Sequence, residues 1–523
     1  MTGGELVLRF LASQGVEVAF GIPGALNAHL YDALRLVPEL RHVLVRHELG
    51  GGWMADGYAR ARNEVGVAFT VPGPGATHAA SAVAGAYTDC SRLLLLSSQS
   101  ERRLRGELRR DLFHGLDQQR LFAPITRWSG AAHRPDQVLE LLTEAFRHLR
   151  RGRPGPVHVE IPADVLGADC GDPELPGTIG VAPAAADPAG VQRAATALRS
   201  ARRPLIFAGD GVLHADASGA LGALAALLRA PVVTSVGGKG ALPEHHEWAL
   251  GDSNAGAGSA AYGEHDLLLA VGERFTQVDT RWPWFFPPRR LVQVDADARE
   301  VGREFRPEVG LFADPKLALE ALREALQADP GDRTGWDPLL PELRERQSAH
   351  PRDPIVAALQ EALPPETLTA WDVCVPGFRS RMDWVCREPH SYFYPGVYVG
   401  MGFGLPAGIG ARLARPDRPV CVVAGDGGFQ MTMAELATAA QHRVPLVIVV
   451  VNDAGLTLIR RVQDRDFEGR RCEVELRNPD FTALAAAYGV PSECVESVDD
   501  LPAAVRRAVE RETLALVELR VER

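Results

Sequence analysis

No apolar run in the 523 residues approaches the roughly 18 or more residues of a membrane-spanning helix, so no membrane partner is expected. The start, Met1-Thr2-Gly3-Gly4-Glu5, has no basic segment followed by an apolar core; without an export signal the expected compartment is the cytoplasm. Cysteine is sparse. The seven (Cys90, Cys170, Cys374, Cys386, Cys421, Cys472 and Cys494) are scattered, odd in number and free of any Cys-x-x-Cys, which argues against a disulfide framework and against a zinc site. There is no basic excess either. A net charge of −11 disfavours nucleic acid, whose phosphates are bound through surplus Lys and Arg. The one basic cluster, Arg102 to Arg110, reads as a solvated face or loop rather than an anion patch.

What is present is an ordinary globular composition, 46% hydrophobic and 24% charged, in a chain long enough for about three domains. Short apolar runs alternate with Ala/Leu-rich helical stretches, as at Pro204–Ala208, Leu267–Val271 and Leu291–Val294, which predicts parallel sheets flanked by helices. Two segments break the pattern. Gly167 to Gly190 is rich in Pro, Gly and Ala, and Asp329 to Pro354 is a short charged stretch punctuated by Asp-Pro-Gly and Arg-Asp-Pro. The expected fold is therefore α/β, three doubly wound parallel-sheet domains over residues 1–166, 185–328 and 350–523, with no further internal repeat.

The pattern that carries chemistry is Gly425-Asp426-Gly427 followed by Asn452-Asp453, with Asp453 lying 27 positions after Asp426. Each ends an apolar run, Pro419–Ala424 and Pro445–Val451, and a helix with a capping box at Thr432 to Glu435 lies between them. That is one βαβ unit. It places both acids at the carboxyl ends of neighbouring parallel strands, where ligands collect and a helix amino terminus attracts phosphate. Two side-chain oxygens and a backbone carbonyl in Asp453-Ala454-Gly455 can hold Mg²⁺, which shares its octahedral shell with phosphates. The chain contains its own control: Gly209-Asp210-Gly211 also ends an apolar run, but the residue 27 positions beyond Asp210 is Gly237.

These residues resemble the cofactor motif of thiamine diphosphate enzymes of the acetolactate synthase and benzoylformate decarboxylase superfamily. The likeness extends over nearly the whole chain, through Phe20-Gly21-Ile22-Pro23-Gly24, Arg46-His47-Glu48, Met54 to Arg60, Gly73-Pro74-Gly75-Ala76-Thr77, Met401 to Ala407 and Asn478-Pro479-Asp480-Phe481. It implies the domain order pyrimidine-binding, central, diphosphate-binding, with each cofactor held between two subunits, hence a homodimer or homotetramer. It assigns Asp426, Asp453 and the Gly455 carbonyl to Mg²⁺. Gly24, Val375, Val399, Met401, Gly425, Gly427, Gly428, Leu456 and Thr457 fall to the cofactor, Met401 supporting its bent shape and the Val399 carbonyl taking the pyrimidine amino group. Glu48 falls to the pyrimidine as the proton-relaying acid; read without the resemblance, it is more simply an acidic complement to a helix amino terminus.

Several positions depart from the superfamily pattern. Gly50-Gly51-Gly52 follows Glu48 where relatives carry larger residues, which lowers helix propensity and leaves space in which a larger substrate is expected to fit. His78 stands where acetolactate synthases have asparagine, and Phe113-His114-Gly115 replaces their Phe-Gln-Glu. Both histidines are candidates for binding the substrate carboxylate or moving a proton, against a bland alternative of loop hydrogen bonding. Val462 replaces a tryptophan that lines the acceptor side, which weighs against acetolactate synthesis itself. The implied activity is decarboxylation of a 2-oxo acid, ending either in release of an aldehyde or in ligation to an aldehyde or ketone acceptor. The alternatives are a flavin-containing pyruvate oxidase-like enzyme and a benzaldehyde lyase-like carboligase. No Gly-x-Gly-x-x-Gly follows a strand as a dinucleotide site requires, so bound FAD is not expected.

Overall fold

The computed structural model describes residues 1–104, 112–281 and 285–521. Residues 105–110 of the basic cluster lie outside that range; within it, Arg102 pairs with Asp164 at 2.7 Å. The chain forms two compact units, one of residues 1–181, 362–377 and 393–523, the other of residues 182–361 and 378–392.

Three six-stranded sheets carry the fold. The first is built from β1 (Val18–Gly21), β2 (Arg41–Leu44), β3 (Gly66–Thr70), β4 (Leu93–Gln99), β5 (Trp128–Ala131) and β6 (Val157–Pro162), in the order β2-β1-β3-β4-β6-β5. The second contains β7 (Pro204–Ala208), β8 (Val232–Thr234), β9 (Ala249–Asp252), β10 (Leu267–Val271), β11 (Leu291–Asp295) and β12 (Val309–Phe312), in the order β12-β11-β10-β7-β8-β9. The third contains β13 (Leu368–Trp371), β14 (Tyr392–Phe393), β15 (Val420–Gly425), β16 (Val447–Asn452), β17 (Ser492–Val495) and β18 (Ala515–Arg520), in the order β14-β13-β15-β16-β18-β17. The β15–β16 and β16–β18 pairs are parallel, and both faces of β15 are buried, as its unbroken apolar run requires. Three parallel sheets with flanking helices are the α/β architecture expected from the sequence.

The second sheet reverses its direction of growth once and the first and third twice, and the crevice at such a reversal is where an open α/β sheet binds ligands. In the third sheet one reversal lies between β13 and β15, with Gly425 in register with Val451 of β16. The residues after β15 and β16, Asp426 and Asp453, therefore emerge beside the crevice. In the central sheet the corresponding edge, between β7 and β10, is closed: a Cβ at Gly209 would lie 2.0 Å from the Gly272 carbonyl oxygen. Asp210 there pairs with Arg274 at 3.1 Å.

One apolar core runs beneath the first and third sheets and includes Phe20, Trp53 and Tyr58 with Phe403, Phe429 and Ile448. It depends on two helices crossing at glycine. A Cβ at Gly57 would sit 2.2 Å from the Ala407 carbonyl oxygen, and one at Gly410 would sit 1.9 Å from that of Met54.

Local expectations changed in three places. The single helix expected from Thr432 to His442 is two, Asp426–Thr432 and Glu435–Gln441, and no capping box forms. Thr432 donates instead to the Gly402 carbonyl, and the Glu435 carboxylate accepts from the amides of Arg46 and His47. The charged stretch read as a linker contains a helix, Leu340–Ala349. The third change is the glycine triplet: Glu48–Arg62 is helical throughout, and the space that Gly50 leaves is taken by the Glu435 carboxylate, 2.2 Å from where a Cβ would be. Val45 approaches Gly51 and Ala82 approaches Gly52 in the same way. The room is filled by the protein itself and is not open to substrate.

Candidate active site

The reversal between β13 and β15 in the third sheet holds a cavity of about 130 Å³. It is lined by Val373, Cys374, Val375 and Pro376 after β13, by Met401, by Gly425 to Gly428, and by Val451, Asp453 and Gly455 to Ile459. Ten of the sequence-derived candidates meet here: Val375, Met401, Gly425, Asp426, Gly427, Gly428, Asp453, Gly455, Leu456 and Thr457.

Asp426 opens the Asp426–Thr432 helix and is buried. One carboxylate oxygen accepts from the Gly427 amide, the other from the Gly455 amide at 3.2 Å and from Asn478 Nδ2 at 2.5 Å. Burial pushes this carboxyl above its usual range, the Asn478 amide holds it back, and the charge of Asp453 adds to the rise. Asp453 takes part in no side-chain hydrogen bond or ion pair among the described residues, although it lines the cavity. Two carboxylates, one of them without a partner, are costly beside each other unless a cation joins them. Together with the Gly455 backbone they are an all-oxygen donor set of the kind that suits Mg²⁺.

Met401 is held from both sides. The buried carboxylate of Asp372 accepts the amides of Val373, Gly402 and Gly404, and Gly402 turns with φ +83°. Burial raises the Asp372 carboxyl to about 6. Val399, two residues before Met401, has φ +55° and is exposed, at the end of a segment whose Gly396 and Val397 amides are fixed by Asp89.

The remaining candidates belong to the first sheet. Gly24 follows β1, where its amide donates to Asn27 Oδ1 at 2.7 Å. Glu48 is the first residue of the Glu48–Arg62 helix, and its carboxylate lies 3.0 Å from His78 Nδ1. His47 caps that helix by accepting the Leu49 amide and stacks on His78, with ring centroids 4.5 Å apart. His47, Glu48 and His78 are thus one cluster, with ligand-type atoms within 4.8 Å of one another. His114 sits at φ +57° beneath the Phe113 ring, and its buried Nδ1 has no hydrogen-bond partner among the described residues. None of Gly24, Glu48, His78 and His114 lines the cavity, whose walls fall entirely between Val373 and Ile459.

Sequence reasoning missed two side chains at this site. Asn478 ties Asp426 to Asn452, donating to both, and Gln430 in turn donates to Asn478 Oδ1. Arg460 packs beneath the Asp453-Ala454-Gly455 turn. Asn478 stands in the Asn478-Pro479-Asp480-Phe481 motif, which does not state its partners 52 and 26 positions away, and no local pattern marks Arg460 as the support of a turn six and seven positions before it.

Comparison with known families accounts for this arrangement. Residues 374–519 match the thiamine pyrophosphate enzyme C-terminal TPP binding domain, residues 1–121 its N-terminal TPP binding domain and residues 191–322 its central domain. The chain is a thiamine pyrophosphate enzyme. Among its relatives is a probable 2-ketoarginine decarboxylase of Pseudomonas aeruginosa, 37% identical over 99% of this chain and 94% of the relative. A probable acetolactate synthase large subunit of Methanocaldococcus jannaschii is 33% identical, covering 97% and 90%. The acetolactate synthase large subunit of Corynebacterium glutamicum is 32% identical, covering 98% and 85%. The family is thus the acetolactate synthase and decarboxylase branch of thiamine diphosphate-dependent enzymes. Among the described residues, no helix of this thiamine pyrophosphate enzyme is long and apolar enough to cross a membrane.

Proposed function

We propose that the protein is a Mg²⁺-dependent 2-oxo acid decarboxylase whose reaction ends in protonation and release of an aldehyde. The observation that carries this reading is the unpartnered Asp453 carboxylate beside Asp426 in the crevice between β13 and β15. When bound there, thiamine diphosphate supplies a carbon nucleophile and a sink for the electron pair left behind by departing CO₂.

The residues present fit that group. Asp426, Asp453 and the Gly455 carbonyl would hold the cation, the amides opening the Asp426–Thr432 helix and Thr457 would receive phosphate oxygens, and Met401 lines the cavity beside Gly427. Glu48 lies outside the cavity wall of its own chain; in a dimer, Glu48 of the partner subunit would complete the site and would relay a proton at the pyrimidine nitrogen. The working form is accordingly a homodimer or a dimer of dimers, located in the cytoplasm. Residues 1–166 bind the pyrimidine and residues 350–523 the diphosphate, with residues 185–328 between them. His78, bonded to Glu48, and His114, with its unpartnered Nδ1, are the groups available for the substrate carboxylate and the final proton.

Val462, in place of an acceptor-side tryptophan, supports protonation over ligation; the names of the acetolactate synthase relatives support ligation as the second reading. Incubation with Mg²⁺, thiamine diphosphate and a panel of 2-oxo acids, with and without aldehydes, separates them by mass spectrometry. The panel is headed by 2-ketoarginine, the acid in the name of the Pseudomonas relative. An aldehyde one CO₂ lighter than the acid is the expected product. A ligated 2-hydroxy ketone as the main product would replace it with the second reading, and turnover of no acid would refute both.

A further inference from the structure

The turn that carries Asp453 and Gly455 is shaped by a buried cation from the following helix. Arg460 lies one turn into the Thr457–Asp466 helix, and its side chain is only 7% exposed. Nη1 donates to the Asp453 carbonyl at 3.2 Å and to Thr457 Oγ1 at 3.3 Å; Nη2 donates to the Ala454 carbonyl at 2.6 Å and to Glu475 at 2.7 Å. Its Nε is buried and makes no hydrogen bond among the described residues. The backbone is built around this guanidinium. Ala454 adopts φ +51°, a left-handed conformation in which a residue with a side chain needs support, and the Gly455 amide is thereby brought to Asp426. A Cβ at Gly455 would fall 1.9 Å from Nη2 and 2.2 Å from Cζ, so glycine at 455 is the condition for arginine at 460.

We infer that Arg460 is a positioning residue for the cation and diphosphate site. Two functions meet in one side chain. As a planar fork it holds the two successive carbonyls of Asp453 and Ala454, which fixes the peptide planes on either side of Ala454 and with them the turn that carries Asp453 and Gly455; a lysine, as a point donor, holds at most a part of that geometry. As a charge it is paired with the Glu475 carboxylate at 2.7 Å, which keeps the fork in place beneath the turn. The inference rests on the reading of this cavity as the diphosphate and Mg²⁺ site.

The test is isothermal titration of Mn²⁺ into full-length protein with saturating thiamine diphosphate, for wild type, Arg460→Lys and Arg460→Ala, each first shown to be folded by far-ultraviolet circular dichroism. Loss of a residue that orients a metal ligand lowers affinity by about 10-fold or more, so Arg460→Ala is expected to bind Mn²⁺ at least tenfold more weakly, with Arg460→Lys between it and wild type. A purely structural role predicts lower thermal stability with unchanged Mn²⁺ affinity in both variants, and that result overturns the inference. Should Arg460→Ala fail to fold, Arg460→Lys decides alone: wild-type affinity refutes, weaker binding sustains. If wild type itself takes up no Mn²⁺ with thiamine diphosphate, the reading of the cavity fails, which is a different outcome.

Discussion

Replacing Gly50 with alanine separates two opposed physical expectations. In an exposed helix interior the change is favourable by about 1 kcal/mol, because alanine loses less backbone entropy than glycine. Here the added methyl would lie 2.2 Å from Glu435 Oε1, 2.7 Å from Cδ and 2.9 Å from Cγ. A free glutamate would swing aside. This one is 1% exposed and accepts from the amides of Arg46 and His47 and from Thr438 Oγ1, so moving it forfeits hydrogen bonds to a charged acceptor worth about 1.5–3 kcal/mol each. Losing even one or two outweighs the helical gain, and the local net is a destabilisation of about 2 kcal/mol, or roughly thirtyfold faster opening. Hydrogen exchange read by mass spectrometry over residues 44–58 is the assay, since that segment contains both the amides Glu435 holds and the start of the helix bearing Glu48. Exchange there should accelerate. In a Glu435→Ala background the sign should reverse, with Gly50→Ala slowing exchange because only the propensity term remains. Slower exchange in the single variant would refute the account of the glycine triplet given above.

Gly57→Ala places its methyl against the Ala407 carbonyl, a backbone atom without a rotamer to change, and should lower the melting temperature by several degrees or prevent soluble expression; an unchanged melting temperature would show that the helix crossing is more yielding than its geometry suggests. Asp372 has a folded-state carboxyl raised to about 6 from 3.8, so its contribution to stability is complete below pH 4 and is lost as pH rises through 6. The slope of melting temperature against pH across that window should flatten in Asp372→Asn, and an identical slope would remove Asp372 as its source. His114→Ala should reduce turnover by roughly 10²-fold if the residue transfers protons to product, whereas a near-normal rate would leave it a loop residue. His78→Asn removes the imidazole bonded to Glu48 and should shift the pH profile of turnover while leaving Mn²⁺ affinity intact; a fall in Mn²⁺ affinity would contradict its placement outside the cavity.

The sheet framework was legible because β-branched runs flanked by Gly-Asp-Gly and Asn-Asp have few alternatives to buried parallel strands; β15 and β16 begin and end within about two residues of the runs that announced them. The pairing of Asp426 with Asp453 followed from that framework, since neighbouring strands of one βαβ unit must end together. What failed was local capping. Thr432 and Glu435 have the spacing of a capping box, but tertiary partners, the Gly402 carbonyl and the Arg46 and His47 amides, recruit both side chains. The glycine triplet misled for a related reason: a missing side chain looks like space in a sequence, and only the fold shows that Glu435 fills it. Asn478 escaped because its contact to Asp426 spans 52 positions, and Arg460 because its bonds to the Asp453 and Ala454 carbonyls need a left-handed turn at Ala454 that no periodicity encodes.

The central claim is that one cation joins Asp426 to Asp453 beneath a cofactor activated from the other subunit. Its most direct test is a crystal structure of the protein grown with thiamine diphosphate and Mn²⁺, read by anomalous scattering. The account predicts a single Mn²⁺ peak bonded at about 2.2 Å to the Asp426 and Asp453 carboxylates and the Gly455 carbonyl, with Glu48 of the partner subunit at the pyrimidine ring. A cofactor bound with Asp453 turned away from the metal, or with no Glu48 at the pyrimidine, would contradict it.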